Sequence, residues 1–233
     1  MRALVLMHGD SAPPALLGEW LDERGIAYDL YRTDRGEPMP DPRGYAFIAS
    51  LGSKHSPRDT HEPAVARELA LLERAIELGI PVLGLCFGGQ ALAAVLGGTV
   101  EPAPEPELGW TAIETDEPDL VPPGPWLEWH FERFTTPPGA TEIARNAAAT
   151  QAFRHGPHLA VQFHPESTVE IVAGWAAKDR EKISALGHAD AAARIAATPE
   201  ERDRARAAAF VLFDGFLERA TDPAVAAAAA RRG

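Results

Sequence analysis

Residues 82–90 read Val82-Leu83-Gly84-Leu85-Cys86-Phe87-Gly88-Gly89-Gln90. The segment has the form Gly-x-Cys-x-Gly between an apolar run, which predicts a strand, and a stretch to about Leu96, which predicts a helix. A sharp strand-to-helix turn of this kind strains its central residue, and the flanking glycines relieve clashes with neighbouring backbone. Such a turn presents a nucleophile at the carboxyl end of a strand, where open α/β sheets bind ligands. The segment therefore predicts an α/β fold with Cys86 at its binding edge.

The first half of the chain repeats this alternation of strands and helices. Strands that alternate with helices need crossover connections, and so they predict a parallel sheet. The predicted elements are strands at Arg2–Met7, Ala27–Tyr31, Tyr45–Leu51 and Pro81–Leu85 and helices at Pro14–Arg24 and Pro63–Leu78.

The second half has a different texture. Prolines are frequent between Thr99 and Gly139, which predicts short strands such as Gly109–Glu114 joined by turns. The alanine-rich run Ala224–Ala230 predicts a fraying helix end. We expect one domain over residues 1–233, with a core of about 1–175 and a helical C-terminal appendage over about 176–233. The remaining predicted elements are strands at Thr141–Arg145, Thr150–Arg154 and Leu159–Phe163 and helices at Val169–Leu186 and Pro199–Ala220.

The charge balance is acidic, since 22 basic and 34 acidic residues give a net charge of −12. No basic patch could then offset phosphate charge, so we expect neither nucleic acid nor a membrane as a partner. A run of about 18 apolar residues and a signal peptide are both absent, which favours a cytoplasmic enzyme. The single cysteine excludes an intrachain disulfide and a cysteine-rich zinc site, and we expect no cofactor and no metal.

A thiol nucleophile needs a base that ionises it and later protonates the leaving amine. Among eight histidines, the best candidate ends the apolar strand in Ala160-Val161-Gln162-Phe163-His164-Pro165-Glu166. Residues two apart in an extended segment point the same way, so Glu166 can accept a hydrogen bond from His164 while the other ring nitrogen faces Cys86. The pattern predicts nucleophile, base and orienting carboxylate. The alternatives are a buried structural cysteine, a histidine bonded to a backbone carbonyl and, as the poorest option, a Cys–His–Glu metal site.

The two motifs together resemble those of the class I glutamine amidotransferase family, over roughly Leu4 to Trp175. The resemblance is closest to free-standing glutaminase domains similar to the amidotransferase domain of GMP synthetase. It implies a flavodoxin-like α/β three-layer sandwich around a mostly parallel sheet. It also implies that Cys86 attacks the glutamine carboxamide to form a γ-glutamyl thioester, with loss of ammonia and later hydrolysis by water.

The resemblance also implies roles for residues around the nucleophile. Gly52 would supply one oxyanion-hole N–H, beside the N–H of Phe87, which the helix N-terminus already points at the reacting oxygen. A carboxylate such as Glu107 or Glu132 would suit the substrate ammonium. The expected glutamine contacts are Gln90, Glu107, Trp129, His130 and Phe131.

The chain departs from the family pattern in two places beside the expected pocket. The loop after the third strand reads Gly52-Ser53-Lys54-His55 where the family usually has Gly-Gly-Pro, and Phe131 stands where the family has glycine. Both changes would reshape the entrance for substrate.

Three functions stay open. The first is a glutaminase that supplies ammonia to a separate synthetase or acceptor subunit, because the chain has no Gly-rich phosphate loop of its own. The second is a free-standing γ-glutamyl hydrolase or peptidase, for which Lys54, His55 and Phe131 would suit a larger leaving group. The third is a non-catalytic regulatory protein on this fold.

Overall fold

The alternating strands and helices build a sheet that is covered on both faces. The computed structural model describes residues 1–225, so the alanine-rich run 224–230 lies outside the described residues from position 226 onward. The strands are β1 Arg2–Met7, β2 Ala27–Arg32, β3 Phe47–Ser50, β4 Val82–Leu85, β5 Val100–Thr111, β6 Glu114–Thr115, β7 Trp126–Phe134, β8 Thr141–Arg145, β9 Thr150–His155 and β10 His158–Val161. The helices are α1 Ala15–Glu23, α2 Pro63–Glu77, α3 Phe87–Val95, α4 Val169–Lys178, α5 Arg180–Ala185 and α6 Pro199–Thr221.

The main sheet has the strand order β2-β1-β3-β4-β10-β9-β8-β6. Strands β2, β1, β3, β4 and β10 pair in parallel, and β9, β8 and β6 follow in antiparallel pairings. Parallel strands end at one edge of the sheet, which collects His8, Gly52, Cys86 and His164 after β1, β3, β4 and β10. This mostly parallel, helix-covered sheet confirms the predicted flavodoxin-like α/β class.

Strand β1 shows why the central strands are apolar throughout. Ala3, Val5 and Met7 pack in one cluster with side chains of α1 and α6, whereas Leu4 and Leu6 pack in a second cluster with α2 and α3. All five side chains are buried. A strand covered on both faces needs a continuous apolar run, and this is what the sequence has.

Helix α6 belongs to the same core. It begins at a capping box formed by Thr198 and Glu201, and it buries Phe213 and Phe216 in the cluster that contains β1. The Phe216 ring centroid lies 5.4 Å from that of Phe47 in β3. The C-terminal segment therefore covers one face of the sheet. Within residues 1–225 no helix combines the length and apolar character needed to cross a bilayer.

Strands β5 and β7 form a separate antiparallel pair. The sequence predicts short strands such as Gly109–Glu114 in this region, because prolines are frequent there, whereas β5 runs unbroken over Val100–Thr111. A two-stranded pair leaves one side of each strand without a ladder, so prolines are tolerated there. The register shifts between Pro102 and Glu107, which absorbs the remaining irregularity.

The continuous helix predicted over Val169–Leu186 is two helices, α4 and α5, which meet at Asp179. Trp129 Nε1 donates a hydrogen bond to Asp179 Oδ2 at 3.0 Å. Both helices pack on the β5–β7 pair. The apolar residues keep a helical period through the break, so the sequence pattern does not reveal it. The hydrogen bond found at the break comes from Trp129, which belongs to a distant strand.

Candidate active site

Cys86 lies between β4 and α3 in a conformation that few residues adopt. Its φ of 51° and ψ of −106° are unfavourable for a side chain with a Cβ. Its N–H donates to the Val161 carbonyl at 3.0 Å, and its carbonyl accepts from the Gln90 N–H at 2.9 Å. Strand β10 and helix α3 thus hold the strained residue, whose thiol lines a cavity.

The glycines of the turn are required by close packing. A Cβ at Gly84 would lie 2.5 Å from the Gly88 carbonyl oxygen, and a Cβ at Gly89 would lie 2.5 Å from that of Val161. A Cβ at Gly88 would overlap the Ser50 carbonyl. Backbone atoms cannot give way cheaply, so only glycine lets α3 approach the sheet this closely.

His164 lies between Cys86 and Glu166. Its Nδ1 is 2.8 Å from Glu166 Oε1, and His164 lines the same cavity as Cys86. Burial lowers the pKa of His164, but the charges of Cys86 and Glu166 outweigh burial and raise that pKa well above its usual value. The structure therefore brings the three predicted residues together and favours a protonated imidazole beside the sulfur.

The two residues predicted for the oxyanion hole flank this group. Gly52 stands against the base, since a Cβ there would lie 2.7 Å from His164 Cε1. Phe87 is the first residue of α3, so its N–H is one of those that lack a partner within the helix. Phe87 follows Cys86 directly in the chain, and Gly52 lines the same cavity as Cys86.

Cys86 and His164 open into a cavity of about 960 Å³, toward the upper end of the roughly 300–1,000 Å³ common for small-molecule sites. Of the predicted substrate contacts, Trp129 and Phe131 line it, as do Lys54 and His55 of the loop after β3.

The structure does not bring Gln90, Glu107 and His130 into the cavity lining. Gln90 Nε2 and His130 Nδ1 instead donate to the same carbonyl oxygen of Glu132, at 3.1 and 2.9 Å. His130 belongs to the strand that carries Trp129 and Phe131, and Gln90 bonds to that strand from α3, so both can affect the cavity through it.

Glu107, Glu128 and His130 form a buried cluster behind the cavity, and their ligand-type atoms lie within 4.8 Å of one another, close enough to hold a cation. His130 Nε2 is 3.1 Å from Glu107 Oε2 and 3.2 Å from Glu128 Oε2. Burial lowers the pKa of His130, but the two carboxylates outweigh it and raise the pKa to about 10. Burial raises the pKa of Glu128. A protonated His130 therefore already supplies the positive charge that Glu107 requires.

The cavity also holds functional candidates that no motif in the sequence indicates. His8 Nε2 lies 2.5 Å from Glu68 Oε2, and His8 Nδ1 lies 3.0 Å from the Gly52 carbonyl oxygen. Ser50 Oγ donates to Glu68 Oε1 at 2.6 Å. His8 follows β1 at the carboxyl edge of the sheet, a signal that could have indicated it. Glu68 lies on a predicted helix, where a carboxylate usually marks a solvated face.

Comparisons with known proteins agree with this geometry. The family model described as glutamine amidotransferase class-I matches residues 53–171, just over half of the chain, and this range includes Cys86, His164 and Glu166. The crystal structure of a glutamine amidotransferase from Methylobacillus flagellatus is similar, with a TM-score of 0.80 and 25% identity, over 93% of this chain and 94% of that one.

Two curated relatives show how far the similarity extends. A GMP synthase [glutamine-hydrolyzing] from Aeropyrum pernix is 34% identical over 56% of this chain but only 25% of its own length. A putative glutamine amidotransferase-like protein, YfeJ, from Salmonella typhimurium is 26% identical over 79% of this chain and 83% of its own length. The chain thus spans a quarter of the first relative and most of the second.

Proposed function

Because the chain belongs to the class I glutamine amidotransferase family, we propose that it hydrolyses the side-chain amide of glutamine through a thioester on Cys86. The ammonia would serve a separate acceptor enzyme. The observation that carries the proposal is that Cys86 and His164 line one cavity, which is large enough for substrate, and that His164 is bonded to Glu166.

In the first half-reaction the Cys86 sulfur attacks the amide carbon, and the carbonyl oxygen becomes an oxyanion. The N–H groups of Gly52 and Phe87 donate to that oxygen, which stabilises the charge as it develops. Protonated His164 gives its proton to the amide nitrogen, the C–N bond breaks, and ammonia leaves. A γ-glutamyl thioester and a neutral imidazole remain.

In the second half-reaction water attacks the thioester carbon, and His164 takes a proton from that water. The same two N–H groups stabilise the second oxyanion. The C–S bond then breaks, glutamate leaves, and Cys86 and protonated His164 are restored. Glu166 holds the imidazole in one orientation through both steps, as an orienting carboxylate does in a catalytic triad.

Recognition of the glutamyl group falls to the β7 wall and the α4–α5 junction. Trp129 and Phe131 form one side of the cavity, and Asp179 lines it beside Trp129. Asp179 is therefore the carboxylate best placed for the substrate ammonium. Gln90 and Glu107 act from outside the cavity, by holding the strand that carries Trp129 through the Glu132 carbonyl and His130.

The proposal is tested by labelling with a glutamine analogue that carries an electrophilic carbon in place of the amide. Because Cys86 is the only cysteine, the intact mass should rise by a single adduct that maps to Cys86, and glutamine should protect. Cys86→Ala is the control and should stay unlabelled with an unchanged circular dichroism spectrum. A folded wild-type protein that takes no label, with or without a synthetase added, contradicts the proposal.

The role of an acceptor has its own test. The Aeropyrum pernix relative is a GMP synthase, and this chain matches a quarter of it, so a synthetase is the natural recipient of ammonia. Ammonia release from glutamine should rise when a synthetase from the same source is added. An unchanged rate, with glutamine already hydrolysed by the chain alone, would count against an acceptor.

A second candidate function is hydrolysis of larger γ-glutamyl amides by the same three residues. The observation that favours it is the size of the cavity and the presence of Lys54, His55 and Phe131 in its lining. A panel of γ-glutamyl amides would decide between them. Turnover of the panel no faster than glutamine would rule this candidate out.

A further inference from the structure

All the lysines of the chain line the cavity that contains Cys86. The sequence has 22 basic residues, of which three are lysines, Lys54, Lys178 and Lys182, and 22 − 3 = 19 are arginines. All three lysines line the cavity beside Cys86. They come from separate segments, the loop after β3 and the α4–α5 region. Arg67 of helix α2 also lines the cavity.

Two of the four acidic residues that line this cavity are paired. Asp34 pairs with Arg32 at 2.8 Å, and Glu68 is bonded to His8 and Ser50. Glu62 lies 3.7 Å from the exposed His61, and Asp179 accepts a hydrogen bond from the neutral Trp129 indole and so keeps its charge.

The cations of the cavity have no such partners. Within the described residues, Lys54, Arg67, Lys178 and Lys182 form no ion pair with a carboxylate; Lys182 Nζ lies 3.3 Å from the centroid of the Phe131 ring. These four cations outnumber the two carboxylates, Glu62 and Asp179, that lack a firm cationic partner, so the unpaired charge of the cavity is positive although the net charge of the chain is −12. A local positive field in an acidic protein attracts an anionic ligand.

We propose that the cavity binds a γ-glutamyl amide whose leaving amine carries a carboxylate, such as a γ-glutamyl amino acid. Glutamine itself has one carboxylate and a small neutral leaving group, which leaves most of the unpaired cations and most of the 960 Å³ without a use. This inference rests on the proposed chemistry of Cys86. Of the two candidate substrate classes, glutamine and larger γ-glutamyl amides, it favours the larger amides.

Lysine suits this task because its ammonium is a compact charge on a flexible stem that can follow carboxylates in different positions. The stacking of Lys182 on Phe131 holds one ammonium over the cavity wall next to Trp129. Lys54 lines the cavity from the loop after β3, which also contains Gly52. An anionic leaving group could then be held while the scissile carbonyl faces Cys86.

The test uses two substrates that differ in one charge, γ-Glu-Gly and γ-Glu-glycinamide. The acid should have the larger kcat/KM, by about 10- to 100-fold, as expected for one or more charge-assisted hydrogen bonds. Added salt should reduce that ratio, because exposed charges are screened. Equal kcat/KM values for the two substrates overturn the inference.

Variants locate the effect. Lys54→Gln, Lys178→Gln and Lys182→Gln should each lower the acid-to-amide ratio, whereas Arg204→Gln, which removes an exposed charge outside the cavity, should leave it unchanged. An acid-to-amide ratio of kcat/KM that equals the wild-type ratio in all four variants overturns the inference.

Binding separates this inference from the proposed function. Calorimetry with Cys86→Ala should show tighter binding of γ-Glu-Gly than of γ-Glu-glycinamide. That preference would support the anion site even if the wild-type protein hydrolysed neither compound, a result that counts against the proposed chemistry alone. Equal affinities of Cys86→Ala for the two ligands overturn the anion site.

A second inference comes from the independent network around His8. The Gly52 carbonyl can only accept, so His8 Nδ1 carries a hydrogen and donates it. Glu68 contacts the other ring nitrogen, and the side chains of His8 and Glu68 are 6% and 1% exposed. The network is thus shielded from water, and its hydrogen bond to Gly52 has a fixed direction.

This network restrains the residue proposed for the oxyanion hole. Gly52 has no room for a Cβ, and glycine has wide conformational freedom. The N–H of Leu51 is held by the Leu6 carbonyl at 3.2 Å, and the carbonyl of Gly52 is held by His8. The Gly52 N–H lies between these two anchors. We infer that His8 is a positioning residue that keeps this N–H aimed at the reacting oxygen.

The test separates amide hydrolysis from simple reactivity of the thiol. His8→Leu should lower γ-glutamyl hydrolysis by about 10- to 100-fold, less than the roughly 100- to 1,000-fold for loss of an oxyanion donor itself. Alkylation of Cys86 by iodoacetamide, which forms no oxyanion, should stay close to wild type. His8→Asn keeps a donor at the δ position and should retain more activity than His8→Gln.

Two results would overturn the role of His8. One is a parallel loss of alkylation and hydrolysis in His8→Leu. The other is a crystal structure of His8→Leu in which the Gly52 carbonyl keeps its orientation, a readout that does not depend on activity.

Discussion

At the scale of single residues, the site depends on a buried charge pair next to a strained thiol. Cys86 is held at a positive φ by strand and helix, and His164 is held by Glu166. Energy stored in the turn is offset by the packing of the surrounding sheet, as is common for strained functional residues.

The first prediction concerns Glu166→Gln. Since the Glu166 charge helps to raise the pKa of His164, its removal lowers that pKa. His164 must be protonated to release the amine, so the alkaline limb of the kcat/KM profile should move to lower pH. The rate should also fall, by less than the roughly 10⁴-fold known for a triad aspartate changed to asparagine. Glu170→Gln, an exposed carboxylate nearby, should leave the profile in place; an unshifted limb in Glu166→Gln would contradict the assignment.

At the scale of elements, the approach of α3 to the sheet fixes the position of the nucleophile. The helix begins directly at Phe87, and its first turn contacts the ends of β3 and β10 through glycine. The strand-to-helix turn at Cys86, here called the elbow, therefore depends on α3, β3 and β10 together. Its tolerance to substitution follows from the spacing of these three elements.

The second prediction is a matched pair of glycine substitutions. Gly88→Ala should destabilise the fold by about 1–3 kcal/mol or more, because the new Cβ overlaps backbone of β3. Gly174→Ala on α4 has nothing within 4 Å of its new Cβ, and it should stabilise the fold by about 0.5–1 kcal/mol. Chemical denaturation measures both. Changes of the same sign in the free energy of unfolding for the two substitutions would contradict the close packing of Gly88 against β3.

The third prediction concerns the link between β4 and β10. His158 Nδ1 accepts the Val82 N–H at 3.2 Å, which requires a neutral ring, and burial followed by the charge of His155 lowers the pKa of His158 to about 4. Between about pH 6.5 and 4 the unfolded chain binds a proton that the native state does not, so stability is complete above pH 6.5 and falls as the pH drops toward 4. The total is about 3 kcal/mol for this shift.

The control for His158 is His158→Asn, which keeps an acceptor at the δ position and does not titrate. Unfolding free energies measured from pH 7 to 4 should decline less steeply in His158→Asn than in the wild-type protein. Parallel curves would show that His158 does not contribute to acid sensitivity.

At the scale of the whole molecule, α6 joins the last residues of the described chain to the first strands. Phe213 packs against Trp20 with ring centroids 5.5 Å apart, and its side chain is fully buried. We propose that the chain folds as a single domain in which α6 is an integral layer.

The fourth prediction tests that integration. Phe213→Ala should cost about 3–5 kcal/mol, and tryptophan fluorescence and far-ultraviolet circular dichroism should report one coincident unfolding transition. Val211→Ala, which lies on the same helix and is 43% exposed, should change stability by less than about 0.5 kcal/mol. Two separate transitions, with the loss confined to one of them, would instead indicate an independent C-terminal unit.

The sequence predicted the α/β class, the elbow at Cys86 and the pairing of His164 with Glu166. These features are local: the strand-to-helix turn occupies nine residues, and the base and its carboxylate are two positions apart. Local sterics and side-chain direction were enough to assign them. The strands that ended near a candidate residue were also well placed, because apolar runs of this length have few alternatives.

The tertiary structure alone decided what surrounds the nucleophile. The break at Asp179, the β5–β7 pair, the pairing of His8 with Glu68 and the convergence of Lys54, Lys178 and Lys182 all depend on contacts between distant segments. No periodicity or motif records such contacts, because they arise when crossover connections bring several strand ends to one edge of the sheet. The residues of Cys86 chemistry can therefore be read along the chain, whereas the cavity that selects a substrate exists only after the chain has folded.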